Sequence, residues 1–416
     1  MKNILKNIKG TKDISAEESY IWQYIENYIH NFFDSFGYSE VRTPTFENTE
    51  LFVRSIGGDT DIVSKEMYSW TDQGNNTLTL RPEFTASVVR YFIQNQLHKI
   101  NPSHKIYYIG SSFRRERPQK GRLREFRQFG IEAFGSKNPE QDAEIISMAY
   151  NFYKNLDISN LKLELNSIGS KESRIEYRKV LKSYLEKFKT DLSEVSQKRL
   201  ESNPLRILDS KDPKTLEILE KSPSYTDFLE PDQVSILNNL LDDFGKSNIT
   251  INSKLVRGLD YYTGFVFEVT SKELGSQDSF IGGGRYDNLF SSLGGQDIPA
   301  IGFAIGLERM IDIMPESSKA SKKVFIVNIT SNNSRYPYKI AQNLRSLDKN
   351  IVVEDPLLTS SAKSQLRRAN KVGAAVALII GDDEVSKNEI IWKDLDSKIE
   401  QQSLSLDELI NKFNEL

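Results

Sequence analysis

One stretch restricts this chain more than any other: the run from Phe113 to Gly135, which packs Arg114, Arg115, Arg117, Lys120, Arg122, Arg124 and Arg127 into a short span. Its first residues, Phe113 to Arg115, read as a strand. Glu116 to Leu123, with a Pro-Gln-Lys-Gly turn, reads as a loop, and Glu125 to Phe134 as the returning strand. Side chains alternate across a strand, so Phe126, Gln128, Gly130 and Glu132 share one face, and Arg127, Phe129, Ile131 and Ala133 the other. Phe129, Ile131 and Ala133 suit a core. Gln128 and Glu132 do not, and Gly130 between them is expected to leave open space. That face is either the floor of a polar pocket or a solvated sheet surface. The positive charge exceeds what an ordinary hairpin needs in a chain of formal net charge −3, so an anionic partner is expected here.

Length and composition narrow the class. A chain of 416 residues is expected to form about two or three domains, and 38% hydrophobic with 27% charged residues is globular composition. The net charge does not advertise a nucleic-acid partner, yet local basic patches steer phosphates whatever the total. There are no cysteines, which excludes disulfides and thiolate-bound metals. The three histidines, His30, His98 and His104, lie outside every motif below, so histidine acid–base or metal chemistry is not expected. The basic N-terminus lacks a following apolar run, and no stretch is long and apolar enough to span a membrane. A cytoplasmic protein is expected.

Along the chain, Ser15 and Glu18 form a candidate capping box. Apolar residues then recur at helical spacing from Ile21 to Phe36, and Gly37 ends the helix. That apolar face is either core or a dimer surface. A strand is expected from Tyr38 towards Pro44, and another at Thr77–Leu80. Arg81-Pro82-Glu83 turns into a helix through Thr85 to Leu97, because proline suits a first helical turn. Lys105–Gly110 is a strand, Asn138 to about Asn155 a helix, and Leu161–Asn166 a strand. From Ser170 to about Leu241 the pattern is helical, broken at Pro204, Pro213, Pro223 and Pro231, as expected of an inserted domain.

A second cluster begins at Val256, with Arg257, Asp260, Tyr261, Tyr262 and a strand after Gly264. Gly282 to Asp287 follows, where glycines allow close backbone approach or positive φ; it is not a dinucleotide fingerprint. Ile301 to Arg309 reads as a strand entering a helix. Beyond a linker-like stretch from Pro315 to Lys323, strands at Val324–Ile329, Ile351–Glu354 and Ala374–Ile380 alternate with helices near Tyr338–Leu347 and Ala362–Asn370. That alternation implies an α/β domain with a mainly parallel sheet.

Arg114, Arg257 and Arg309 each stand beside a strand carrying pocket-type residues. Arginine binds carboxylate and phosphate through paired, planar hydrogen bonds. With no Walker loop and no histidine or cysteine nucleophile, the set suggests transfer at a phosphate through positioning and electrostatics.

These stretches together resemble the class II aminoacyl-tRNA synthetases, and specifically the histidyl-tRNA synthetase family, over nearly the whole chain. Gly10-Thr-Lys-Asp13 resembles the family's N-terminal signature. Gly37 to Pro44 with Phe46 to Phe52 resembles class II motif 1, which forms the dimer interface in that class. The arginine-rich hairpin resembles motif 2, and Gly302 to Arg309 motif 3. The segment from Arg257 to Tyr262 resembles a peptide particular to histidyl enzymes, and Gly283 to Asp287 supports it.

The resemblance implies an α/β fold of the α+β kind: an antiparallel sheet flanked by helices, a helical insertion and a C-terminal α/β anticodon-binding domain. The implied divisions are residues 1–166 with motifs 1 and 2, 167–250 for the insertion, 251–318 with the histidyl-specific motif and motif 3, and 323–416 for the anticodon domain. The implied reaction is ATP-dependent ligation of L-histidine to tRNA(His) through histidyl-adenylate, with Mg²⁺ held mainly through ATP phosphates. A homodimer is implied. Arg114 resembles the catalytic arginine that holds the α-phosphate and the histidine carboxylate. Arg257 resembles the catalytic arginine on the other side of the α-phosphate, which also counts among the histidine-binding residues, and Phe126 and Arg309 the pair that sandwiches adenine. Glu116 and Arg122 resemble loop residues near ATP. Glu83, Thr85 and Gln128 resemble the groups that hold the α-ammonium, while Glu132 and Tyr262, with Tyr261 and Tyr286 nearby, resemble the imidazole pocket. Gln119 resembles a contact to the tRNA acceptor end.

The imidazole assignment is chemically coherent, because a neutral imidazole has one donor and one acceptor nitrogen. A carboxylate such as Glu132 accepts from the first, and a phenol such as Tyr262 donates to the second. A site built on such pairs rejects analogues lacking them by roughly 10⁴–10⁵. The insertion is therefore expected to contact tRNA and to carry no editing site. Phe84 stands where the family usually has glycine, with an effect expected at the ammonium end. Leu123 and Arg127 depart from an expected aromatic and histidine. Two rivals are a non-catalytic regulator of ATP phosphoribosyltransferase, which tends to lose the Arg257 region and the anticodon domain, and a synthetase for another amino acid.

Overall fold

The computed structural model describes residues 4–414 apart from 17, 59, 119–121, 157, 159, 168, 170, 211, 229–238, 240–248, 272–278, 315–321, 332–333, 348–350, 355–359 and 396–399. The chain divides into two compact units, Met1–Pro315 and Glu316–Leu416. Among the described residues, no helix is long and apolar enough to cross a membrane.

The larger unit is built on an eight-stranded sheet. In chain order its strands are β1 (Ser39–Glu40), β5 (His104–Phe113), β6 (Glu125–Phe134), β7 (Leu161–Ser167), β8 (Ile249–Ile251), β9 (Phe265–Ser271), β10 (Ser279–Arg285) and β11 (Ala300–Gly306). Three others, β2 (Phe46–Asn48), β3 (Tyr68–Thr71) and β4 (Thr77–Leu80), form a small antiparallel sheet in the order β2-β4-β3. The large sheet runs β1-β5-β6-β11-β10-β9-β7-β8. Its interior pairings are antiparallel, and only the outermost pairs, β1 with β5 and β7 with β8, are parallel.

Helix α1 (Ser19–Ser35) shows why one sheet face is dry. It buries Ile21, Ile25, Ile29 and Phe33, four residues apart and hence on one stripe. They pack with Phe129, Ile131 and Ala133 of β6, Phe303 of β11 and Phe152 of α4 (Pro139–Lys154). Each such side chain contributes roughly 1.5–3 kcal/mol on burial. The helix stops at Gly37, whose φ of 77° suits glycine. The start differs from expectation. The Ser15 hydroxyl accepts from the Glu18 amide at 3.1 Å, but the Glu18 carboxylate pairs with Lys12 at 3.0 Å instead of reaching back. Tyr24 and Phe36, off the buried stripe, are exposed.

Other differences are local. The strand expected from Tyr38 to Pro44 is only Ser39–Glu40, and the helix expected to reach Leu97 ends as α3 (Thr85–Gln94). The glycine run near Gly282, to which the sequence alone assigned no element, is strand β10. Within the expected insertion lie α5 (Lys171–Glu186), α6 (Glu194–Ser202), a turn at Pro204–Ile207, α7 (Pro213–Glu220) and a turn at Tyr225–Phe228. Its edges belong to the large sheet, since Ser167 pairs in β7 and Ile249 in β8. Pro231 and most of the linker-like stretch lie outside the described residues.

The smaller unit has the sheet order β13 (Ile351–Glu354), β12 (Lys322–Asn328), β14 (Val376–Ile380), β15 (Glu389–Asp394), β16 (Gln402–Ser405). The first two pairings are parallel and the last two antiparallel, so the sheet is mixed instead of mainly parallel. Val324, Ile326, Leu378 and Trp392 lie in one apolar cluster with Ile340 and Leu344. Phe325, Val327 and Ala377 pack with Ala369 in another, as alternation along β12 and β14 requires.

Candidate active site

The sheet face opposite α1 carries a cleft lined by Glu83, Thr85, Arg114, Glu116, Arg122, Leu123, Phe126, Gln128, Glu132, Arg257, Tyr261, Tyr262, Tyr286 and Arg309, with Glu308 among the others. β6 lays down its floor. Phe126, Gln128 and Glu132 line the cleft while Phe129, Ile131 and Ala133 enter the core, so the face is a pocket and not solvated surface. Gln119 lies outside the described residues.

Gly130 does not leave open space. Across the β5–β6 pairing it faces Tyr108, and a side chain on Gly130 would overlap the Tyr108 hydroxyl. A strand glycine often marks such close approach. The filled space serves Glu132, which is 1% exposed. Its Oε1 accepts from the Thr85 hydroxyl at 2.9 Å and from Tyr108 at 3.1 Å, and its Oε2 accepts from Tyr286. Burial nevertheless dominates and pushes the Glu132 carboxyl up to about 8. Tyr261 stands beside both neighbours, with ring centroids 4.7 Å from Tyr262 and 5.5 Å from Tyr286. Burial raises the Tyr262 phenol, with Arg257 pulling the other way, so it remains a donor.

Glu83 is placed by α3. Its carboxylate oxygens accept from the Thr85 amide at 2.6 Å and the Ala86 amide at 3.0 Å, satisfying donors that a helix start leaves open. Burial raises its pKa. Phe84 points away from the cleft. Its ring stacks on Tyr108 at 4.5 Å with an interplanar angle of 8°, and the Arg81 guanidinium lies 3.8 Å from its centroid. Burial lowers Arg81 to about 10, and its N–H groups donate to the Ser111, Thr43 and Pro44 carbonyls.

At the other end of β6, the Arg114 Nε donates to the Pro82 carbonyl at 2.9 Å, and its guanidinium lies 5.3 Å from the Phe126 ring centroid. Arg122 pairs with Glu116 at 3.0 Å. Arg309, at the start of the helix Leu307–Ile313, is lowered by burial and then by the neighbouring Arg122 charge. Cations crowded together in this way favour an anion between them. Arg127 turns to the opposite face, where it pairs with Glu26 of α1 at 2.6 Å. Its amide donates at 2.8 Å to Glu308, whose carboxyl burial raises to about 7.

Arg257 approaches across the sheet. A side chain on Gly282 would overlap its guanidinium, which is why the β10 run is glycine there. Gly282 pairs with Ala304, and Ala304 with Gly130, so Arg257 lies level with the middle of β6. It pairs with Glu268 of β9. Arg285, in the Gly-Gly-Arg-Tyr-Asp segment, is structural: it grips Asp142 of α4 through two bonds of 2.9 and 3.0 Å.

Sequence reading missed Tyr108, Glu268 and Glu308. Tyr108 carried a signal, an aromatic on one strand opposite a glycine on the next, which is legible only once the strands are paired.

The model of the histidyl-tRNA synthetase family matches residues 10–310, and that of an anticodon-binding domain residues 323–416. A histidine–tRNA ligase from Thermodesulfovibrio yellowstonii is 45% identical over 408 residues, covering 97% of this chain and 96% of the relative. One from Francisella philomiragia is 43% identical over 413 residues, covering 97% of each. Among solved structures, the apo histidyl-tRNA synthetase of S. aureus superposes with a TM-score of 0.74 at 33% identity, covering 99% of this chain and 100% of that one. With a family model spanning most of the chain and relatives this similar along its whole length, the protein belongs to the histidyl-tRNA synthetase family.

Proposed function

We propose that the cleft joins L-histidine to tRNA(His) in two steps. A histidine carboxylate oxygen attacks the α-phosphorus of ATP, and the bond to pyrophosphate breaks. A hydroxyl of the terminal tRNA ribose then takes the acyl group, and AMP leaves. The observation that carries this reading is the polarity of one strand. Glu132, ringed by hydroxyl donors, stands at one end. Phe126 stands at the other, beside Arg114 and near Arg122 and Arg309. Six residues of strand separate the two by about 20 Å, so the two ends can hold opposite ends of one extended ligand.

Each residue then has a role. Glu132 accepts from one imidazole nitrogen and Tyr262 donates to the other, with Tyr261 and Tyr286 closing the pocket. Glu83, Thr85 and Gln128 take the α-ammonium. The Thr85 hydroxyl already serves Glu132, so its contribution is to join the two subsites. Arg114 and Arg257 flank the α-phosphate and stabilise the charge of its five-coordinate transition state. Phe126 and Arg309 hold adenine, Glu116 and Arg122 the rest of ATP, and Gln119 the acceptor end of the tRNA. No residue is assigned as a general base, so rate comes from positioning.

Magnesium keeps few protein ligands and binds through phosphates. The donor set fits, since Glu116 and Glu308 line the phosphate end. When bound, the ion neutralises phosphate charge. We place the protein in the cytoplasm with its tRNA, as a homodimer. Exposed Phe36, Phe46 and Trp70 in and beside the motif 1 region support that assembly.

The test is histidine-dependent ATP–pyrophosphate exchange. The wild type exchanges, and Arg257→Ala lowers the rate by about 10²–10³. Normal exchange by the variant removes Arg257 from its role. Absence of exchange by the wild type favours the regulatory reading of this fold.

A further inference from the structure

The loop that carries Arg257, Tyr261 and Tyr262 is held by something outside the cleft. Arg206, in the turn after α6, is largely buried, with its side chain 11% exposed. Its Nε donates to the Asp260 carboxylate at 3.0 Å and its Nη2 to the Gly258 carbonyl at 2.6 Å. The neighbouring Asn203 side chain also donates to Asp260, at 3.3 Å. From α5, the Arg174 Nη1 donates to the Tyr262 carbonyl at 2.7 Å. Three side chains of the helical segment thus grip three residues of one loop.

The loop is gripped from the other side as well. The Asp260 amide donates to the Ile56 carbonyl, at the end of α2 (Thr49–Ile56), at 3.2 Å. Gly57 follows with φ of 100°, and a side chain there would overlap the Asp260 carboxylate. A second tie between the same two regions is the Arg199 pair with Asp61 at 3.4 Å. Asp260 is therefore a keystone between α2 and the helical segment. The residues on its two sides, Leu259 and Tyr261, line the cleft, as do Arg257 and Tyr262.

We propose that Arg206 and Arg174 are positioning residues for adenylate formation, acting through the loop at 257–262 to hold Arg257 and Tyr262 in register with the strand floor. The chemistry favours this over simple packing. Arginine to carboxylate and carbonyl bonds are directional and charge-assisted, and misplacing a reacting group by about 1 Å costs up to 10²-fold in rate. The inference rests on the role given to Arg257 above. It adds that the helical segment governs the amino-acid activation step before any tRNA is bound.

The experiment compares pyrophosphate exchange by the full-length wild type, Arg206→Ala, Arg206→Lys, Arg174→Ala and Arg178→Ala, each with its unfolding midpoint. Arg178 is the control, because its Nη2 bonds Ser202 inside the same helical segment and not the loop. We expect Arg206→Ala to lower kcat about tenfold and Arg174→Ala several-fold. Arg206→Lys should recover part of the loss, and Arg178→Ala should stay within about twofold. In an Arg257→Ala background, Arg206→Ala should cost little more, because both act on one element. Full additivity with Arg257→Ala, or an equal loss in Arg178→Ala, overturns the proposal as general damage. Unchanged kcat in both Arg206→Ala and Arg174→Ala overturns it outright. A wild type that does not exchange refutes the functional reading itself, a result distinct from either.

Discussion

The two ends of the cleft are built from opposite materials. At the end proposed for imidazole, the buried Glu132 carboxylate is surrounded by neutral hydroxyls on regular elements: Thr85 starts α3, Tyr108 is on β5, and Tyr286 follows β10. At the phosphate end the charges are mostly arginines at strand ends and in the motif 2 loop, partly neutralised by Glu116. Burial works against the charge at both ends, raising Glu132 and lowering Arg309. The first end is stiff and suited to choosing a ligand. The second is cationic and suited to stabilising charge that appears during reaction. Discrimination and rate should therefore be separable by mutation.

The largest effect is expected at the phosphate end. Arg114→Ala should lower the exchange kcat by about 10²–10³, since it removes a donor aimed at developing charge. The histidine KM should move far less. A variant that loses histidine affinity and keeps kcat would erase the division between the ends.

Next comes Glu132→Gln, which should raise the histidine KM by roughly 10–10², the worth of one hydrogen bond to a charged group. The same residue sets a pH dependence. The carboxyl rises from 4.5 to about 8 on folding, so the unliganded protein keeps a proton that the unfolded chain releases. Its contribution to stability is full below the unfolded value and is lost as pH rises through about 8. Glu132→Gln should flatten the denaturant midpoint across that window, and an unchanged slope would place the titration on another group. An ionised carboxylate accepts more strongly than a protonated one, so the wild-type histidine KM should fall as pH climbs towards 8.

How much of this was legible in the sequence follows the same division. The floor was legible because alternation along Glu125–Phe134 sorts side chains by face with no knowledge of neighbours. The charge was legible because arginine density is a composition signal. Strand order was not, since β6 pairs with β11 about 170 residues away and no local pattern encodes that choice. β10 was missed because its glycines carry no strand propensity. Gly282 makes room for the Arg257 guanidinium and Gly283 for the Phe267 ring and the Gly302 carbonyl, both tertiary reasons. β16 was missed because a short polar strand such as Gln402–Ser405 lacks an apolar alternation, whereas β15 did carry one, with Ile390 and Trp392 entering the core. Family resemblance supplied roles that spacing alone does not give. It could not show that Glu83 caps α3, or that Tyr108 supports Glu132.

Phe84 gives the smallest effect on activity and the sharpest test of that last point. Its departure from the family's usual glycine suggested a change at the ammonium end. The ring instead lies behind Tyr108, stacked at 4.5 Å, and is 1% exposed. Truncation should thus act on stability first: Phe84→Ala should cost about 3–5 kcal/mol, as for other buried phenylalanines. Catalysis should feel it only through a looser Tyr108, one of three donors to Glu132. The loss of one such bond, about 1 kcal/mol, would change the histidine KM by roughly fivefold. Denaturant midpoints and exchange kinetics on the same preparations separate the two readouts. A hundredfold rise in KM with an unshifted midpoint would mean that Phe84 shapes the ligand site directly. It would also mean that the stiffness of the imidazole end comes from contact with the ligand and not from the packing behind it.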